Sequence, residues 1–424
     1  MSLLSAYLPL LKVALAFMLM LAGIRLRLRL WAAILAGGLA LGLLFGLPLW
    51  RWPGTALGGV IQAQSLRLAG IVGLIMVLSE CMEKTGQAGR LLESLAGRLR
   101  RPALRLVFFP ILMGLLPMPG GAVFSAPMVR GASAGLPVSE KDRALVNYWF
   151  RHIWELAWPL YPGLILGASL AGLPVTEVAG AMALTPLLML GLGWWFILRP
   201  LPLADAPAPE AGPVPPLRQA LRHALPLVTV IAGAMGCEGI LVALGQDTGF
   251  ELGVLAALVM ALAVCAVQNR GRIRPALRAI DYAHVGDMLL VVAAIFAFKE
   301  TLLTAGVVQE LAGVAGGGAA LLAATLLLPF VMGFVSGINV AFVGSTFPLI
   351  LAMLDQAGLA HQTLAYVVLG MYSGFTGVMV SPIHICFILT CQYFATPMPA
   401  AWPRLVLPCL IFLGFGLVLF QVLR

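Results

Sequence analysis

Apolar residues fall along the chain in blocks of about 20, separated by short stretches rich in Arg, Gly and Pro. The blocks cover residues 5–24, 31–49, 68–86, 106–134, 144–173, 175–198, 223–245, 249–268, 286–305, 317–353, 362–393 and 401–423. A helix rises about 1.5 Å per residue, so roughly 20 residues cross a hydrocarbon core of about 30 Å. Barrel strands would alternate over segments of about ten residues instead. The continuous runs predict an all-α polytopic membrane protein.

Two runs exceed one straight crossing and carry a Gly/Pro-rich centre. These are 106–134, with Pro117-Met118-Pro119-Gly120-Gly121, and 317–353, with Ser336-Gly337-Ile338-Asn339. Each is expected to form a re-entrant hairpin. Runs 144–173 and 362–393 read as single crossings broken near the middle. Residues 199–217 form the one long Pro/Ala segment, whose composition cannot pack a core, and read as an exposed linker.

A weak repeat flanks that linker. Phe109-Pro110 through Gly114 matches Leu328-Pro329 through Gly333, and Glu80 with Thr85-Gly86 matches Glu300 with Ala305-Gly306. Trp158-Pro159 matches Ser381-Pro382, and Pro174 matches Pro397, all at offsets of 219 to 223 residues. The predicted organisation is a first repeat over 1–198, a cytoplasmic linker over 199–217 and a second repeat over 218–424. Each repeat holds five transmembrane helices, one re-entrant hairpin and one broken helix. Five crossings are odd, so the second repeat enters from the opposite face.

Charge tests this topology. With both termini outside, segments assigned to the cytoplasm hold 19 Lys and Arg against 3 in the outer segments, Arg51, Arg67 and Arg424. The formal net charge of +9 is therefore read as topogenic, and nucleic acid is not an expected partner. Charged residues make up only 10% of the chain, against about a quarter in soluble domains. The six cysteines, Cys81, Cys237, Cys265, Cys386, Cys391 and Cys409, lie in or beside apolar runs without metal-ligand spacing, and read as buried free thiols.

Polar groups at membrane depth are costly and mark candidate function. Broken helices and hairpin tips expose the backbone groups that bind substrate and coupling ions in inverted-repeat carriers. The first tip offers Pro119, Gly120 and Gly121, with Ser125 a turn beyond; the second offers Ser336, Gly337 and Asn339. The first broken span carries Arg151, His152 and Glu155 before Pro159. Its aromatic cluster also fits an interfacial belt that would place Arg151 among headgroups. The second broken span carries Ser373, Gly374, Thr376 and Gly377, read as a cation-coordinating unwound turn, and then Ser381. His384 reads as a core residue. Glu80, Lys299 and Glu300 sit near span ends and read as structural ion-pairing groups. The two tips and two breaks are expected to share one polar cavity, because scattered breaks would each need a separate solution for their backbone groups.

The segment Leu116-Pro117-Met118-Pro119-Gly120-Gly121 through Met128, with Asn147-Tyr148-Trp149-Phe150-Arg151-His152-Ile153-Trp154-Glu155, resembles the DUF401 integral membrane family. That family looks like a member of the ion-transporter superfamily, alongside citrate, gluconate, dicarboxylate and arsenite carriers and sodium/proton antiporters. The resemblance implies a homodimer in the inner membrane, with scaffold and transport parts moving elevator-fashion. The Ser-Asn-Thr tips of the dicarboxylate carriers are not matched, although Ser336-Gly337-Ile338-Asn339 is loosely similar. Together these features predict a secondary transporter of a small organic anion coupled to Na⁺ or H⁺, without a resident cofactor. A cation/proton antiporter using Glu80, Glu155 and Glu300 is the alternative. A membrane enzyme or scaffold is a second alternative; the sequence holds no nucleophile elbow, P-loop or HExxH.

Overall fold

The computed structural model describes residues 3–96, 101–115, 121–203, 216–243, 250–312 and 318–424. Pro119, Gly120 and most of the linker lie outside the described residues. The first half contains α1 (Leu3–Arg25), α2 (Leu30–Leu44), α3 (Trp52–Val60), α4 (Ala63–Lys84), α5 (Gln87–Ala96), α6 (Pro102–Met113), α7 (Ala122–Ala132), α8 (Glu140–Arg151), α9 (Pro162–Ala171), α10 (Val175–Ala181) and α11 (Thr185–Gly193). The second contains α12 (Leu217–Ala243), α13 (Phe250–Gln268), α14 (Ile273–Arg278), α15 (Tyr282–Thr304), α16 (Val307–Ala312), α17 (Gly318–Ser336), α18 (Asn339–Gln356), α19 (Thr363–Met379), α20 (Ile385–Tyr393), α21 (Met398–Ala401) and α22 (Pro403–Leu423).

The protein is an all-α, multi-pass membrane protein. Six segments are individually long and apolar enough to cross: Leu8–Arg25, Ala63–Lys84, Val175–Leu198, Glu251–Gln268, Gly318–Ser336 and Pro403–Leu423. Leucines such as Leu11, Leu187 and Leu410 remain exposed, which suits contact with lipid tails and not water. Both broken runs are interrupted as expected. The first stops at Arg151 and resumes at Pro162; the second stops at Met379 and resumes at Ile385. Pro162 suits a first helical position because its missing N–H would be unpaired there anyway.

Two expectations about local structure are corrected. Residues Ser373, Gly374, Thr376 and Gly377 do not unwind; they lie inside α19. Their small side chains serve helix packing: a Cβ on Gly374 would strike the Phe342 ring, and one on Gly377 would strike the Phe330 carbonyl. The aromatic cluster is not an interfacial belt. Tyr148, Trp149 and Phe150 are fully buried, and the Trp149 indole donates to the Met189 carbonyl at 2.8 Å.

Packing does not follow the division of the chain into halves. The early helices of both halves pack together, α2 on α15, α4 on α13 and α12 on α13. The later elements of both halves form a second group. There α6, α7 and α8 pack among themselves, α20 packs on α7 and α8, α18 on α9, and α19 on α17 and α22. Glu80, Lys299 and Glu300 belong to the first group. Glu300 accepts from Gln62 at 2.8 Å, Lys299 donates to Gln64 at 3.3 Å, and Glu80 stands 3.8 Å from Lys84.

Candidate functional site

The site is built where the breaks meet the helix turns. Gly114 ends α6, and a Cβ there would collide with the Arg151 carbonyl oxygen, so only glycine lets this arm lie backbone-on-backbone against the first break. Gly333, its match in the repeat, stands in the same relation to the Gly374 carbonyl on the second broken span. The N-cap residues of the resumed helices repeat the theme. Tyr161 before α9 donates its hydroxyl to the Gly114 carbonyl at 2.6 Å, and His384 before α20 places Nδ1 2.6 Å from the Gly337 carbonyl. Gly337 itself takes φ +65°, and a Cβ there would press on the His384 backbone.

Between these supports lies a buried polar cluster. His152 Nε2 and His384 Nε2 face each other at 3.0 Å. His152 Nδ1 meets the Tyr148 carbonyl at 2.5 Å. Glu155 Oε1 stands 3.6 Å from His152 Nε2, and Glu155 Oε2 accepts from Asn339 Nδ2 at 2.5 Å. Both imidazoles are buried, whereas the Glu155 side chain keeps 13% of its surface exposed. Arg151 is buried at the first tip, where its Nη1 donates to the Met113 carbonyl at 3.2 Å. A Cβ on Gly121 would strike that guanidinium. Cys386 Sγ and one ring nitrogen from each of the two histidines all lie within 4.8 Å of one another.

The expected partners come together selectively. Gly121 meets Arg151 of the first break, and Gly337 and Asn339 meet His384 and Glu155 of both breaks. Ser125 turns elsewhere: its hydroxyl donates to Asn147 Oδ1 at 2.6 Å, and Asn147 Nδ2 reaches Thr390 at 3.1 Å. Ser336 donates to the Met332 carbonyl, Ser373 to that of Leu326, Thr376 to that of Tyr372 and Ser381 to that of Phe334. Those hydroxyls are spent on backbone. Among the described residues, the side chains at the meeting place bond directly to one another. A cavity of about 390 Å³ lies at Arg90, Arg222, Asn269 and Arg272, and an apolar one of about 200 Å³ at Leu112, Trp158 and Ile231. Neither is lined by Arg151, His152, Glu155, Asn339 or His384.

The family model described as "Protein of unknown function (DUF401)" matches residues 56–423. The chain belongs to the DUF401 family. Among solved structures this DUF401 chain is similar to the crystal structure of the Alcanivorax borkumensis YdaH transporter, described as having an unusual topology. The identity is 16%, the match covers 88% of this chain and 87% of that one, and the TM-score is 0.62. At that identity the likeness is one of fold. No curated protein matches the chain.

Two members of the candidate cluster were not among the expected site residues. His384 was read as a hydrogen-bonded core residue and Cys386 as a buried free thiol, and both are so; the fold in addition brings them beside His152. The available signal was the spacing His384-x-Cys386 directly after Ser381-Pro382, where proline ends one helix and a new one starts.

Proposed function

We propose that this DUF401 protein is a secondary transporter whose substrate site is the junction of the two broken spans and the two hairpin tips. The observation that carries the proposal is that junction. Interruptions from distant parts of the chain, at 152–161, 380–384, Gly121 and Gly337–Asn339, converge on one buried set of charged and polar groups. Interrupted backbone at membrane depth is tolerated where protein or a polar path satisfies it, and carriers place substrate there. The substrate class is a small organic anion, coupled to Na⁺ or H⁺; the buried Arg151 guanidinium at the first tip supports it. The cation/proton antiporter is favoured instead by Glu155, the most accessible charged group of the cluster.

The finer architecture is part of the same proposal: two inverted repeats, ten crossings, both termini outside the inner membrane, and a homodimer moving elevator-fashion. Support comes from contacts between segments assigned to the same face. Arg29 pairs with Asp287 at 2.9 Å, Arg67 with Glu251 at 2.5 Å, and Gln87 with Gln268 at 2.7 Å. The two packing groups supply a static and a moving part. Cysteines introduced at Leu28 and Asp205 should label only from the cytoplasm. In proteoliposomes, the wild type should move a carboxylate down an imposed Na⁺ or pH gradient. A Gly121→Leu/Asn339→Leu variant that still inserts should not. Full activity in that variant removes the proposed site, and cation flux without anion flux selects the antiporter.

A further inference from the structure

We propose that His152, His384 and Cys386 form a binding site for a borderline-soft divalent cation of the Zn²⁺ class, with Glu155 as a fourth ligand. The argument starts from hydrogens. A carbonyl oxygen can only accept, so the contacts of His152 Nδ1 with Tyr148 and of His384 Nδ1 with Gly337 fix both Nδ1 atoms as N–H donors. In neutral imidazoles that leaves both Nε2 atoms as bare lone pairs, and these point at each other across 3.0 Å. Two buried acceptors face to face are repulsive unless something positive lies between them.

A metal ion answers that arrangement best because the third group is a thiol. The three donor atoms lie within 4.8 Å of one another, all on buried residues. Tetrahedral zinc binds imidazole nitrogen at about 2.0–2.1 Å and thiolate sulfur at about 2.3 Å, which puts neighbouring ligand atoms roughly 3.3–3.6 Å apart. Reaching that spacing takes a small outward movement of the imidazoles from 3.0 Å and an approach of Cys386 Sγ toward them. Glu155 Oε1 lies 3.6 Å from His152 Nε2, within reach of an ion held there after a side-chain adjustment. The carbonyl acceptors on both Nδ1 atoms are the supports that metal-bound histidines ordinarily have. Binding replaces the thiol proton by the metal, and that proton leaves to solvent.

The ligands come from both halves of the chain, His152 and Glu155 from the first break, His384 from the second and Cys386 from the first turn of α20. The ion would therefore tie the two broken spans together. Thiolate with two imidazoles selects zinc-like ions over Mg²⁺ or Ca²⁺, which take oxygen. The site coincides with the proposed transport site but does not depend on transport, since binding is read without flux.

The test uses the full-length protein in detergent, freed of metal and titrated with Co²⁺ and Zn²⁺. One Co²⁺ per chain should bind with a sulfur-to-cobalt charge-transfer band, Zn²⁺ should displace it, and Cys386→Ser should lose the band and weaken binding at least tenfold. X-ray absorption of the zinc-loaded wild type should give one sulfur with nitrogen and oxygen neighbours, a result that needs no variant to fold. Absence of stoichiometric binding, a band that survives in Cys386→Ser, or a shell with no sulfur or with several would each overturn the proposal. Metal binding without flux would retain the metal site and remove the transport reading; flux without metal binding would do the reverse.

Discussion

The two broken spans solve one mechanical problem with different chemistry. In the first, ten residues separate α8 from α9, and they carry His152, Glu155 and three of the larger aromatic groups, Trp154, Trp158 and Tyr161. In the second, five residues separate α19 from α20, and His384 is the one titratable group among them. The flanking helix pairs differ in size as well. The arms α6 and α7 have 12 and 11 residues, about 16–18 Å each, whereas α17 and α18 have 19 and 18, about 27–28 Å. The second pair is the longer one, and its first arm, α17, is by itself long and apolar enough to cross a membrane. What the halves share is backbone geometry: Gly114 and Gly333 against the broken spans, and Tyr161 and His384 reaching back to a carbonyl at the turn. On the proposed transport reading, the shared features are framework, and the unshared ones, Arg151, Glu155 and Asn339, would carry the recognition.

That division is broken most directly at Arg151. Arg151→Gln should lower flux by about 100-fold, equivalent to roughly 2.7 kcal/mol, while the variant still inserts and elutes as a single species. Flux within threefold of wild type would mean that the first break is framework too. Next come the matched glycines. Gly114→Ala and Gly333→Ala each push a methyl group into a carbonyl oxygen and should destabilise by about 2 kcal/mol, read as lost thermal stability in detergent. Unequal losses would show that only one arm needs the close approach. Tyr161→Phe is milder. It removes a buried hydrogen bond to Gly114 and should cost about 1 kcal/mol of stability.

Much of the fold was legible because bilayer crossing demands long apolar runs, and the positions of Pro159 and Pro382 marked both interruptions. Short connecting helices such as α3 and α14 were not, since nine or six residues leave little periodic signal. The site was half legible. Arg151, His152 and Glu155 stand out as polar residues within an apolar run. His384 and Cys386 did not, because only the fold brings the first break beside them, a contact between residues 232 positions apart in the case of the two histidines. The glycines of α19 misled for a related reason: a sequence shows where a Cβ is missing but not whether a ligand or a neighbouring helix fills the space.

The smallest effect tests that last distinction. Ser373, Thr376 and Ser381 were candidates for cation coordination, and each hydroxyl now has a backbone carbonyl as its acceptor. Thr376 bonds within its own helix, to Tyr372 at 2.7 Å, whereas Ser381 crosses to Phe334 at 2.6 Å. A hydroxyl donating to the carbonyl one turn back adds little to a helix whose backbone bonds are already made. Thr376→Val should therefore change stability by about 0.5 kcal/mol or less and leave flux unchanged. Ser381→Ala removes a tie between two segments and should cost nearer 1 kcal/mol, again with little change in flux. If Thr376→Val instead raised the Na⁺ concentration needed for half-maximal flux, the hydroxyl would be a cation ligand in a conformation other than this one, and α19 would take part in coupling as well as packing.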